Sequence, residues 1–254
     1  MPVLYAHRGF SAKYPENTML AFREARKFTD HFELDIWLTA DNEIVVHHDP
    51  HTERVFGQKF TITETSWPEL KSLRASAAKF ENLDASQKEA TGIPLLGEVL
   101  QEVSDCSITI ECKHAPDALI EKLSAILEKK AMTERVIIGG YEKALMDALR
   151  AKLPSEVKTS ASFEDMTMFM KSLLEGAPQK PACAALQIPP EGEGYDLARP
   201  ELIVAAHQFG IDVHYWTIND PVVFEKLLEI GADGIMTDDV EMGYRKFKQL
   251  GLVQ

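Results

Sequence analysis

The chain is short of cysteine, of positive charge and of long apolar runs. Its 254 residues include three cysteines, Cys106, Cys112 and Cys183. They form no CxxC pair and no even framework, which excludes a disulfide scaffold and points to a reducing compartment. Lys and Arg number 27 against 40 Asp and Glu, a net charge of −13, and no basic block interrupts the acidic background. Binding driven by phosphate neutralisation, to nucleic acid or to an anionic membrane, is therefore not expected. A small anionic substrate stays open, because a few local cations reverse the field inside a pocket. No apolar run approaches ~18 residues, so no membrane insertion is predicted. The opening MPVLYAHRGF lacks a basic stretch followed by an apolar one, so no signal peptide is predicted. These absences together predict a soluble cytoplasmic protein.

The remaining composition is that of a globular chain, 45% hydrophobic and 26% charged. The length would allow two domains, but an α/β barrel commonly uses ~250 residues as one. Repeats and low-complexity tracts are missing. Runs rich in Val, Ile, Thr and aromatics recur near 3–7, 32–38, 44–48, 107–112, 135–139, 158–162, 184–188, 211–217 and 234–237. Between most of them lie helical patterns, among them 18–29, 117–130, 142–153, 200–209 and 222–230. Gly210 and Gly231 mark helix stops just before a strand. Such alternation predicts a parallel sheet covered by helices.

Nine runs are one too many for a closed barrel. The runs at 32–38 and 44–48 are separated only by Thr39–Glu43, and a parallel crossover needs a dozen or more residues. They must form a hairpin, one arm in the barrel and the other folded back over its mouth. Eight strands remain, the number of a (β/α)8 TIM barrel. The whole chain, 1–254, is thus read as one barrel domain with a hairpin arm after strand 2 and a small insertion between about 50 and 94. Two modest helical patterns follow Asp49, at 67–74 and 95–105. In the second, Leu95, Leu96, Val99, Leu100 and Val103 share a face and should pack on the barrel. The rest of the insertion is expected to cap the mouth, and the irregular stretch 176–194 to shape its rim.

Barrel chemistry sits at the C-terminal ends of the strands. There the sequence places His7-Arg8-Gly9, Glu33 and Asp35 on one face, His47-His48-Asp49, Glu111 with Lys113, and Trp216. Three carboxylates in one mouth repel each other and call for a cation. Oxygen ligation suits Mg²⁺, Ca²⁺ or Mn²⁺ rather than Zn²⁺. Arg8 and Lys113 add fixed positive charge suited to a phosphate ester, and two histidines supply general acid and base. Each residue also has a plainer reading. A lone strand Glu is usually a paired or solvated carboxylate, and a lone His7 is as readily a satisfied core residue. His47 alternates away from His48 and is expected to face outward. His51 and His114 lie in loops and default to the surface, Trp216 is equally explained by packing at the barrel end, and Asp238 is a candidate helix cap. Their coincidence at successive strand ends favours the functional reading.

Ordered blocks along nearly the whole chain resemble the glycerophosphodiester phosphodiesterase family. They are AHRG at 6–9, PENT at 15–18, ELD at 33–35, VVHHDP at 45–50 with Arg54 just after, IPLLGEVL at 93–100, IECK at 110–113, VHYWTIND at 213–220 and GADGIMTD at 231–238. The resemblance implies a (β/α)8 barrel that hydrolyses glycerophosphodiesters to sn-glycerol 3-phosphate and an alcohol with a divalent cation. It implies metal binding by Glu33, Asp35 and Glu111, acid/base catalysis by His7 and His48, and phosphate binding by Arg8 and Lys113. Glu16 and Asn17 would support the mouth, and Trp216 would contact the glycerol. The nucleophile would be water or the glycerol 2-hydroxyl. The chain departs from the family pattern in VIIGGYE at 136–142 and in VFGQ after Arg54, both near the rim. The segment at 184–201 resembles lysophospholipase D-type relatives, so a lysophospholipid is the alternative substrate. A metal-dependent lyase would also group carboxylates beside a Lys, but the histidine pair with Arg8 fits a phosphodiester better. A non-catalytic phospho-ligand-binding barrel would not need the complete set.

Overall fold

A computed structural model describes residues 1–76, 80, 82–192 and 194–252. Its strands are β1 (Val3–His7), β2 (His31–Leu38), β3 (Ile44–Val46), β4 (Ser107–Cys112), β5 (Val136–Gly139), β6 (Lys158–Thr159), β7 (Ala185–Ile188), β8 (Glu191–Gly192), β9 (Tyr195–Asp196), β10 (Asp212–Tyr215) and β11 (Gly234–Thr237). Eight run parallel in the order β6-β5-β4-β2-β1-β11-β10-β7, giving the predicted (β/α)8 barrel. The seam between β6 and β7 is thin. One bridge sets Ser160 opposite Ala185, with Ala184 N donating to Thr159 O at 2.8 Å and Ala161 N to Ala185 O at 3.0 Å.

β3 pairs antiparallel with β2, with Trp37 opposite Val45, which is the predicted hairpin. The insertion then builds a second apolar cluster on this arm, with Val55, Phe56, Ile62, Leu70, Leu73 and Ile93 packed around Val45. The chain returns beside β3, where Val46 N donates to Pro94 O at 2.9 Å. The helix Leu96–Glu102 follows and buries Leu96, Val99 and Leu100 completely, as the periodicity predicted. Residues 77–79 and 81 of the insertion, Glu193 of the 176–194 stretch and the terminal 253–254 lie outside the described residues.

Strand periodicity sorts the barrel walls. In β2, Phe32, Leu34 and Ile36 are fully buried toward the helices, while Glu33 and Asp35 alternate onto the other face. In β4 the same division sets Ile108, Ile110 and Cys112 opposite Glu111. Two of the barrel's helices were not among the named patterns, one between β6 and β7 and one after β11. Phe163–Leu174 starts at a Ser162 capping box, and Val240–Gln249 starts at an Asp239 cap. Three predicted strands run too long. β3 stops at Val46, β6 at Thr159 and β10 at Tyr215, so His47-His48, Ser160–Ser162 and Trp216-Thr217 lie in the turns that leave the barrel.

Candidate active site

Strand ends build the mouth. β1 ends at His7, and Arg8 turns into the left-handed region at φ 55°. Gly9 follows at φ 78°, where a Cβ would stand 2.7 Å from the Ala21 carbonyl carbon, so only glycine fits. Asn17 also has a positive φ, 56°. Both non-glycine residues are tied down to β2. Arg8 N donates to Glu33 Oε2 at 3.1 Å, and Asn17 Nδ2 donates to Asp35 Oδ2 at 2.8 Å.

Sheet register then gathers the carboxylates. His7 stands opposite Glu33, and Asp35 opposite Glu111. One oxygen each from Glu33, Asp35 and Glu111 lies within 4.8 Å of the others. Lys113 Nζ is 2.8 Å from both Asp35 Oδ1 and Glu111 Oε1, and Arg8 Nε is 3.3 Å from Asp35 Oδ2. Despite that proximity, Asp35 Oδ1 accepts no well-directed hydrogen bond and is fully shielded from solvent. Burial, reinforced by Asp35, pushes the Glu33 carboxyl well above its ordinary range. Burial acts on Asp35 in the same sense, but Lys113 and Arg8 outweigh it and hold that carboxyl low. The two carboxylates thus differ: Lys113 and Arg8 keep Asp35 ionised, while burial beside Asp35 opposes ionisation of Glu33 despite His7 Nε2 at 3.7 Å and the nearby Arg8.

Two histidines flank this cluster, each held by a carboxylate. His7 Nδ1 is 2.6 Å from Asp238 Oδ1, and His48 Nδ1 is 2.6 Å from Asp49 Oδ1. An ionised carboxylate only accepts, so each Nδ1 carries the proton and leaves Nε2 free for chemistry. Burial opposes protonation of His7, but Glu33 and Asp238 raise its pKa. Asp238 is itself held by Ser11 Oγ at 2.9 Å and Asn219 Nδ2 at 2.6 Å. Asp49 is held by Arg54 Nε at 2.6 Å. Arg54 also grips both oxygens of Glu16, at 2.6 and 2.7 Å, and Glu16 accepts from Arg8 NH1 at 3.0 Å.

All of this opens into one cleft of about 1040 Å³. His7, Arg8, Glu33, His48, Glu111 and Lys113 line its charged end. Its other end is apolar, walled by Phe163, Met166, Met170 and Leu174 on one side and by Ile188, Pro189 and Leu197 on the other. Tyr141, Tyr195 and Trp216 stand on the rim, 63%, 50% and 39% exposed.

The structure therefore brings His7, Arg8, Glu33, His48, Glu111, Lys113 and Trp216 to one cleft, with Asp35, Glu16 and Asn17 bonded directly behind them. Several expectations need correcting. His47 does face away from His48, but it is not at the surface. It is 1% exposed, its ring 5.7 Å from Phe56, because the insertion covers that side of the hairpin. His51 and His114 are partly covered rather than free; the His114 ring lies 4.8 Å from Trp37. Asp238 does not cap the last helix. Asp239 does, accepting from Met242 N at 3.0 Å, while Asp238 holds His7. The insertion is no cap over the mouth either, since no described residue of 50–94 lines the cleft; the 176–194 stretch does contribute to its wall. Sequence reasoning missed the roles of Asp238, Asp49 and Ser11. The signal for Asp238 was available in principle: the first and last strands of a closed barrel are neighbours, so residues just past their ends meet.

A nearly closed eight-stranded barrel with a charged, histidine-flanked mouth defines a (β/α)8-barrel enzyme. The chain belongs to the glycerophosphoryl diester phosphodiesterase family, whose sequence profile matches residues 7–242. A glycerophosphodiester phosphodiesterase of Bacillus altitudinis is 30% identical over 94% of this chain and 95% of its own. A lysophospholipase D of Rattus norvegicus is 25% identical over 92% of this chain and 82% of its own. The fold matches an Oleispira antarctica phosphodiesterase solved with the product sn-glycerol-3-phosphate, at a TM-score of 0.78 and 20% identity. That match covers 98% of this chain and 97% of the other.

Proposed function

We propose that the chain, acting as one domain over 1–254, hydrolyses glycerophosphodiesters to sn-glycerol 3-phosphate and an alcohol with a divalent cation and two histidines. The observation that carries this reading is the convergence of three carboxylates, two cations and two carboxylate-held imidazoles in one cleft. Family membership supports the reaction class. The residues fit a hard divalent ion. Their donors are all oxygen, Asp35 Oδ1 lacks a directed partner, and burial beside Asp35 opposes ionisation of Glu33. Glu33, Asp35 and Glu111 would hold Mg²⁺, Ca²⁺ or Mn²⁺. When bound, the ion polarises phosphoryl oxygens and offsets the charge that develops on them.

The chain's own residues do the rest. Arg8 and Lys113 bind the phosphodiester, fixed by Glu16 and Asp35 respectively. Asn17 braces Asp35 from behind, and Trp216 offers a flat apolar face to the glycerol. One histidine takes a proton from the nucleophile through Nε2, and the other returns one to the departing alcohol oxygen. Free thiols at Cys106, Cys112 and Cys183 suit a cytoplasmic setting, and no helix among the described residues is long and apolar enough to cross a membrane.

The test is glycerol 3-phosphate release from glycerophosphocholine after EDTA treatment and metal restoration. We expect restored turnover with at least one of Mg²⁺, Ca²⁺ or Mn²⁺, and a loss of ~10²–10⁴-fold in His7→Ala and His48→Ala. No release under any metal, or near-normal rates in both variants, rejects the proposal. A second reading, lysophospholipid hydrolysis, is favoured by the apolar end of the cleft, which a small polar alcohol does not need. Running a lysophosphatidylcholine in parallel ranks the two substrates directly.

A further inference from the structure

We propose that Arg54 is a positioning residue for the reaction, acting on His48 through Asp49. The inference rests on the role given to His48 under the proposed function and adds a residue to it. Arg54 does not line the cleft, and half of its side chain is exposed. An exposed ion pair of that kind ordinarily contributes little to stability. Its geometry here is unusual. The guanidinium spends one edge on Asp49, Nε to Oδ2 at 2.6 Å, and its two terminal nitrogens on both oxygens of Glu16. Asp49 has only two oxygens, and the other one holds His48 Nδ1. Arg54 therefore fixes the rotation of the carboxylate that fixes the imidazole.

The far end of the same chain of contacts reaches the phosphate-binding cation, since Glu16 also accepts from Arg8. Arg54 is carried by the short helix Glu53–Phe56, whose next two residues, Val55 and Phe56, are buried in the insertion's own apolar cluster. The insertion does not cover the mouth, yet through this one side chain it holds part of the mouth in register. A lysine would not substitute: a single ammonium cannot bond Asp49 and both Glu16 oxygens in one plane.

The test is a double-mutant cycle on the full chain with glycerophosphocholine and saturating metal. Arg54→Ala should lower kcat by roughly 10- to 100-fold while KM moves less than about threefold. Arg54→Lys should recover little, and millimolar guanidinium ion should restore part of the rate to Arg54→Ala but none to His48→Ala. In the His48→Ala background the added Arg54→Ala should cost several-fold less than in the wild type, because only the Glu16 arm is then left to position. Equal costs in both backgrounds, or a wild-type kcat in Arg54→Ala, overturn the proposal while leaving the proposed function standing. A near-wild-type His48→Ala would instead overturn the role of His48 and this inference with it. Thermal melting of each variant identifies a loss that comes from unfolding alone.

Discussion

Glu33 and Asp35 stand two residues apart on one strand, equally buried, yet in opposite electrostatic states. Asp35 lies against Lys113 and Arg8, which keep it ionised, whereas Glu33 faces Asp35 across the cluster and resists ionisation. Glu111, the least buried of the three carboxylates, brings a third oxygen within 4.8 Å of theirs. Replacing Glu111 by Gln keeps the shape and removes a charge. Calorimetric titration of Mn²⁺ or Mg²⁺ into Glu111→Gln should show affinity reduced by roughly tenfold or more. Unchanged affinity removes Glu111 from the ligand set. At this scale much of the site was legible, because residue types at strand ends are read directly from the sequence. What was not legible were the residues behind them. Asp238 is distinguished from an ordinary loop aspartate only by the distant imidazole it meets, a fact of barrel closure, and Asp49 only by the rotamer that turns it onto the adjacent His48.

Secondary-structure elements were legible where a period is sustained. The helices at 117–129 and 200–208 fall within their expected ranges, and the hairpin of β2 with β3 followed from connection length alone. The short strands were overestimated. Their last residues turn out of the sheet to begin capping or to line the mouth, and local composition carries no mark of that turn. The helix Phe163–Leu174 shows why. Its start is fixed by Ser162, whose Oγ accepts from Asp165 N at 3.1 Å while Asp165 accepts from Ser162 N at 3.0 Å. The hydroxyl stops β6 from continuing as strand. Ser162→Ala should lower unfolding free energy by about 1 kcal/mol, measured by urea denaturation at constant m-value. Arg150 NH2 also donates to Ser160 O at 2.9 Å and Asp165 Oδ2 at 2.8 Å, and a shift within about 0.2 kcal/mol of zero would mean that these contacts hold the turn unaided.

The whole molecule is polarised along the barrel axis, with His7 and His48 at one end and a different histidine at the other. His214 on β10 is 3% exposed, its ring tilted 42° to that of Tyr5 with centroids 5.1 Å apart, and lies with Nδ1 3.3 Å from Gln187 Nε2. That amide donates, so Nδ1 must accept, which only the neutral ring does. Burial lowers the His214 pKa from 6.5 to about 4. Between those values the unfolded chain binds the proton that the fold refuses, so stability rises with pH across that window. The contribution is complete above pH 6.5 and is lost as pH falls to about 4. It amounts to on the order of 3 kcal/mol for 2.5 pH units. His214→Gln should flatten the dependence of Tm on pH between 4 and 6.5 by a corresponding amount. An unchanged slope would show that other groups carry it. Fold class was legible at this scale because eight alternations leave few topologies; the insertion's place was not, because its own small core decides where it packs.

The thin seam between β6 and β7 has a kinetic meaning. Two cross-strand amides close this seam, whereas β2 is paired with β4 over six residues. The apolar end of the cleft lies directly above that seam, on the helix that follows Ser160 and the turn that follows Ile188. The barrel should therefore breathe at the apolar end of the cleft and stay shut at its charged end. Hydrogen exchange would show this as fast labelling of Ala161 and Ala184 against near-complete protection of Leu34 and Ile110. Under the proposed function, a bulky leaving group would then meet the wall that yields and the phosphate the one that does not.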